Sequence, residues 1–201
     1  MVESNNTPKA QGRIARWWGA VQRPSVRYSL GTLLVAGVVV GVLSWGGFNW
    51  AMESSNQEAF CVSCHEMRDT VYKELKETVH FTNRTGVRAV CADCHVPKEW
   101  IHKVQRKIAA TGELFHKAVG TIDTPEKFEA HRLRLAQRVW TTMKATDSRE
   151  CRNCHSGQSM DLSTQNRLAQ RQHKAALEKG QTCIDCHQGV AHDLPAGWDA
   201  R

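Results

Sequence analysis

A chain of 201 residues leaves room for one modest domain, and much of its 41% hydrophobic content lies in one stretch near the N-terminus. The remainder is too poor in apolar residues for an ordinary aliphatic core, so something else must fill the interior. The formal net charge of +7 admits an anionic membrane or nucleic acid as partner, and eight cysteines in so short a chain dominate the reading.

No residue from 28 to 52 is charged, and residues 29–50 span about 33 Å as a helix, the thickness of a bilayer core. Lys9, Arg13, Arg16, Arg23 and Arg27 precede this run against the single acid Glu3, so the positive-inside rule keeps the N-terminus in the cytoplasm. Trp45 and Trp50 fall at an outer aromatic belt, and Trp17 and Trp18 at the inner surface. A cleaved signal peptide fits less well, because the apolar run is long and no Ala-x-Ala site follows closely. The expected organisation is a basic cytoplasmic segment (1–27), a transmembrane anchor (28–52) and a periplasmic domain (53–201).

Within that domain a long helical stretch, roughly 98–146, joins two cysteine-rich parts. Thr124 followed by Pro125 reads as an N-cap with proline at the first helical position. Leu133, Ala136, Trp140 and Met143 recur at helical spacing, as a packed face would. Residues 156–163 are polar and read as a loop.

CVSCH (61–65), CADCH (91–95), CRNCH (151–155) and CIDCH (183–187) account for every cysteine. Each is a C-x-x-C-H haem attachment motif. Two thiols at this spacing add to the two haem vinyl groups, and the next histidine is held under the iron. Zinc ribbons and redox disulfides also use C-x-x-C, but neither requires histidine after every pair. Cys61, Cys64, Cys91, Cys94, Cys151, Cys154, Cys183 and Cys186 therefore attach four haems, with His95, His155 and His187 as proximal ligands. Haem propionates offset the basic count, which removes the case for nucleic acid.

His80 and His173 each lie about ten residues before the next motif, so the chain reads as two related dihaem modules with both histidines as distal ligands. His192 lies five residues beyond His187, where the first module has Trp100. One haem then lacks the distal histidine of its counterpart, unless His102 supplies it. His116 and His131 read as solvated helix residues. Met67, two residues after His65, competes with it for one face of the first haem or simply packs.

The anchor, the four motifs, the C-H-x-M at the first, and HFTNRTGVRAVCADCHVP (80–97), GTIDTPEKFEAHRLRLAQRVW (120–140) and TCIDCHQGVAH (182–192) together resemble the NapC/NirT family of tetrahaem quinol dehydrogenases. They look closest to the NapC branch, which serves periplasmic nitrate reductase. The resemblance implies that Met67 replaces His65 on haem 1, that His80 reaches haem 4 and that His192 ligates haem 3. Haem 2 departs from the family's nitrite-reductase relative, where a partner lysine supplies the ligand. Here His173 is the internal candidate, and its exchange with His80 matches the repeat. The family's quinol site beside haem 1 maps onto Lys107 and Glu113, which otherwise read as a solvated helix face.

The fold expected is mainly α: one transmembrane helix and a helical multihaem cytochrome c domain. The function expected is oxidation of membrane quinol, with Glu113 accepting a proton and Lys107 bonding a quinol oxygen. Electrons pass to a periplasmic reductase, nitrate reductase first and nitrite reductase second. A terminal reductase acting at its own open haem, and a passive electron carrier that never meets quinol, stay open as alternatives.

Overall fold

The computed structural model describes residues 12–157 and 159–198. Glu3 and Lys9 of the N-terminal charge count, and residue 158 of the expected loop, lie outside them. The described chain is helical, with no strand among those residues, and divides into two units, 1–49 and 50–201.

In the first unit, α1 (Arg13–Val21) carries Ile14, Trp17, Trp18 and Val21 at i, i+3, i+4 and i+7, which makes one apolar stripe opposite Arg13 and Arg16. Helix α2 (Leu30–Ser54) is uncharged until Glu53, and its side chains from Leu30 through Gly47 are exposed. A helix apolar all round and exposed all round suits lipid rather than water. At 25 residues, or about 38 Å, it is long enough to cross a membrane. Asn49 Nδ2 is satisfied within the helix, donating to the Trp45 carbonyl at 2.8 Å.

The second unit opens on the last turn of α2 and continues through α3 (Glu58–Cys61), α4 (His65–Arg68), α5 (Val71–Lys76), α6 (Cys91–His95), α7 (Trp100–Ala118), α8 (Pro125–Ala145), α9 (Arg149–Arg152) and α10 (Arg167–Glu178). A 3-10 turn, Cys183–Asp185, follows. The helical stretch expected over 98–146 is two helices, the second beginning where Thr124 and Pro125 mark a start. Gly120 adopts φ 67° after α7, a left-handed conformation that ends a helix and that glycine takes without strain. Helix α8 then restarts at Thr124, whose Oγ1 accepts from Lys127 N at 3.3 Å, with Pro125 in the first turn. On its expected packed face, Trp140 stacks on Trp198 at 4.9 Å while Leu133 stays exposed.

Helix α3 packs on α6, α6 on α9, and α8 on the Cys183–Asp185 turn. Among the described residues the buried hydrophobic side chains are only Met52, Leu75, Phe128 and Ile184. Polar fasteners supplement them. Arg88 clamps Glu58 at 2.5 and 2.7 Å, and Ser148, fully buried at φ 48°, accepts from Ile184 N at 3.1 Å.

Candidate functional site

The four motifs wind differently. In the third and fourth, the histidine N–H donates to the carbonyl of the first cysteine at 2.8 Å (His155 to Cys151, His187 to Cys183). The second lies wholly within α6. One helical turn thus sets cysteine and histidine on the same face. The second and fourth also share a clasp: Asp93 and Asp185 reach back to the N–H groups of Val90 and Thr182 at 3.0 and 2.9 Å. In the first motif the turn is broken. Cys64 is extended (φ −84°, ψ 127°) between α3 and α4, and His65 N makes no bond to Cys61 among the described residues.

The motifs adjoin in the order of the chain. Cys61 and Cys91 lie close enough to act on each other, which lowers the Cys61 thiol to about 7 and raises Cys91. Burial, and then the neighbouring Cys151, push Cys94 up to about 11. Burial also raises Cys151, with Cys183 the next cause.

Three motif histidines each face a histidine from elsewhere. Ring centroids lie 6.2 Å apart for His95 and His192, 6.2 Å for His80 and His155, and 5.9 Å for His173 and His187. Two imidazoles bound at ~2 Å on opposite sides of one iron would place their centroids about 6.3 Å apart. The pairs therefore fit a haem iron between them. Their remaining nitrogens fit as well: His80 Nδ1 faces the Val190 carbonyl at 3.2 Å and His173 Nδ1 faces Gln165 Oε1 at 2.6 Å, the bonds that leave Nε2 for a metal. Burial, then His192 and Arg106, push His95 down to about 4, so it is neutral near pH 7, as a ligand must be. Among the described residues no cluster of three or more His, Cys, Asp or Glu forms a site for a bare ion.

These pairings correct the ones implied by the resemblance. His80 faces the third motif, not the fourth; His192 faces the second, not the third; His173 faces the fourth, not the second. The symmetric exchange of His80 and His173 is absent: His173 pairs within its own half, while His80 and His192 cross to the other. The imidazole that faces the second motif comes from the chain's last segment. His102 is not a competitor, being held on its own helix by Glu99 and Gln105 at 3.2 Å each.

The first motif alone has no facing imidazole among the described residues. His65 is half-exposed, with Nε2 3.5 Å from Glu66, and Met67 is half-buried two residues farther along α4, about 200° round that helix. Glu66 is buried and receives Lys117 Nζ at 2.9 Å on both oxygens. Helix α7 runs past this motif. Lys107 acts on the Cys61 thiol, and its Nζ donates to Ser55 O and Oγ at 3.0 and 2.8 Å. Burial lowers the Lys107 ammonium from its usual range.

Glu113 is not beside Lys107. Six residues along a helix turn it about 120° away, and its carboxylate pairs with Arg106 at 2.8 Å on the exposed side. Arg106 and Glu113 are one helical heptad apart, a spacing that marks a shared face. Sequence reasoning passed over Arg106, Lys117 and Glu66, whose signal lies only in their positions around the first motif.

The sequence pattern of the NapC/NirT cytochrome c family, N-terminal region, matches residues 23–197. The chain is 60% identical over 98% of its length to the denitrification system component NirT of Stutzerimonas stutzeri, covering 96% of that protein. It is 52% identical over 97% of its length to the cytochrome c-type protein NapC of Escherichia coli K12, again covering 96%. A putative tetraheme cytochrome-c type protein of Allochromatium vinosum is 50% identical over 83% of this chain and 88% of its own. No solved structure matches. With four attachment motifs, three facing imidazole pairs and this extent of identity, the chain belongs to the NapC/NirT cytochrome c family of multihaem c-type cytochromes.

Proposed function

We propose that this cytochrome oxidises quinol at the membrane and hands the electrons to a periplasmic reductase, periplasmic nitrate reductase before any other. The observation that carries the reading is the isolation of the first motif: the other three have facing imidazoles, while the first meets a lysine on α7. Arg13, Arg16, Arg23 and Arg27 precede α2, and no charge interrupts it before Glu53, which supports a cytoplasmic N-terminus with residues 53–201 on the periplasmic side.

His95 and His192, His155 and His80, and His187 and His173 would hold haems 2, 3 and 4, and Met67 would replace His65 on haem 1. When bound, the haems supply one-electron carriers that divide the two-electron oxidation of quinol into single steps. Lys107 donates a hydrogen bond to a quinol oxygen in place of its bonds to Ser55 and stabilises negative charge developing there. Quinol gives up two protons with its two electrons: Glu113, on the exposed side, takes one at its carboxylate and the other passes to water. Identity to a denitrification component exceeds that to the NapC relative, which favours a denitrification reductase as the second choice of acceptor.

The full-length protein in detergent, given a quinol analogue and nitrate, tests this. Quinol consumption that needs added periplasmic nitrate reductase supports the reading. Nitrate loss without the reductase would make the chain a terminal reductase. No quinol oxidation in either mixture would make it a passive carrier.

A further inference from the structure

The three imidazoles that face motif histidines end on different acceptors. His80 and His173 direct Nδ1 at neutral oxygens, the Val190 carbonyl and the Gln165 amide. His192 Nδ1 is buried and makes no hydrogen bond among the described residues. The nearest carboxylate is Glu74, whose Oε2 lies 3.7 Å away.

Glu74 is held in place rather than free. Arg132 donates to its two oxygens at 2.5 and 3.1 Å, and Asp193 N donates to Oε2 at 3.1 Å. Arg132 is buried, clamped by Glu129 at 2.6 and 2.8 Å, and donates to the Asp193 carbonyl at 3.2 Å. Both backbone groups of Asp193, the neighbour of His192, are thus tied to this cluster. Two carboxylates share one guanidinium, so one negative charge beside His192 is left uncancelled.

We infer that Glu74 is the positioning residue of His192: with His192 Nε2 on the haem attached at Cys91 and Cys94, Nδ1–H donates to Glu74 Oε2 and makes that haem the lowest in potential of the three bis-histidine haems. The inference rests on the ligand pairing proposed above. A small ring rotation closes 3.7 Å to hydrogen-bond distance. A carboxylate acceptor draws the Nδ1 proton and raises electron density at Nε2, which favours ferric over ferrous iron. The carbonyl acceptors of His80 and His173 do so less. The Val71 carbonyl also bears on the His192 ring and is the competing acceptor.

The experiment is a redox titration of the full-length protein followed by paramagnetic resonance. His192→Met identifies the signal of the haem in question. Glu74→Gln keeps the shape and removes the charge, and should favour reduction of that haem by ~10-fold, equivalent to ~59 mV for one electron, leaving the other two in place. Glu129→Gln removes an equal charge from the cluster and should shift the same haem clearly less. In the unmodified protein, near-infrared magnetic circular dichroism should show one bis-histidine haem displaced toward imidazolate-like ligation. If His192→Met alters no signal, the ligand pairing itself is wrong. If it alters one signal that Glu74→Gln does not move, or if both Glu variants move it equally, the inference is overturned and the pairing stands. Should Glu74→Gln fail to load four haems, the dichroism decides alone, and three equivalent bis-histidine bands overturn the inference.

Discussion

The imidazoles of His80 and His155 stand nearly perpendicular, at 78°, with centroids 6.2 Å apart, although they belong to opposite halves of the chain. The other two pairs are closer to parallel, His95 with His192 at 26° and His173 with His187 at 35°. Perpendicular axial rings act equally on two iron d orbitals and leave them nearly degenerate, whereas near-parallel rings split them. The oxidised protein should therefore show one highly anisotropic low-spin signal and two rhombic ones.

Substituting His80 tests which haem carries that signal. His80→Met replaces an imidazole by a softer sulfur and should remove the anisotropic signal while leaving both rhombic ones. His173→Met should remove one rhombic signal only. Unchanged paramagnetic-resonance spectra in both variants would show that neither histidine is a ligand.

What the sequence made legible was the local chemistry. Thiol and imidazole spacing in the four motifs is set by covalent geometry, and the Thr124–Pro125 start of α8 follows from capping. The end of α7 was not legible, because the Thr124 cap marks where α8 begins and not how far the preceding helix runs. The repeat is real at the scale of a turn, where Asp93 and Asp185 make the same clasp, but it does not govern pairing. Which imidazole faces which motif depends on how α6, α9 and the His192 segment come together, contacts between residues far apart that periodicity does not encode. The broken turn at Cys64 was likewise hidden, since CVSCH has the same spacing as its three neighbours.

Ser148 joins the third motif to the fourth through a side chain with no exposure. Ser148→Ala leaves the Ile184 N–H without its acceptor inside the protein, and should lower stability by about 1–3 kcal/mol. Denaturant titration followed by far-ultraviolet circular dichroism measures this. Cysteine-bound haem should stay at four per chain, because no attachment residue is touched.

Glu66 makes stability depend on acid. Burial alone would raise its carboxyl, but Lys117 overrides burial and holds it below the model-peptide value of 4.5. A carboxyl whose folded pKa is depressed contributes stability that is present above its unfolded pKa and is lost as pH falls through the folded one. Lys117→Met removes the cation and lets burial raise the carboxyl instead. The variant should be less stable than the parent at pH 7, with the gap narrowing as pH falls through the variant's raised carboxyl pKa and on through the parent's depressed one. Thermal melts between pH 4 and 8 would show this convergence, and a constant gap would mean that Glu66 does not titrate against Lys117.

Lys107 tests the quinol reading directly. Its Nζ is half-buried, bonded to Ser55 and close enough to Cys61 to act on that thiol. Methionine of similar length supplies neither the hydrogen bond nor the charge. Lys107→Met should retain four haems and normal reduction by a small chemical reductant, while quinol oxidation falls ~10- to 1,000-fold, as expected for losing one positioned charge-stabilising donor. Glu113 is exposed and paired with Arg106, so Glu113→Gln should cost less in rate and mainly flatten its pH dependence. The contrast matters because the two residues lie on different faces of α7. Equal losses would mean that they share one substrate contact, contrary to this geometry, and unchanged quinol oxidation in both variants would place the site elsewhere.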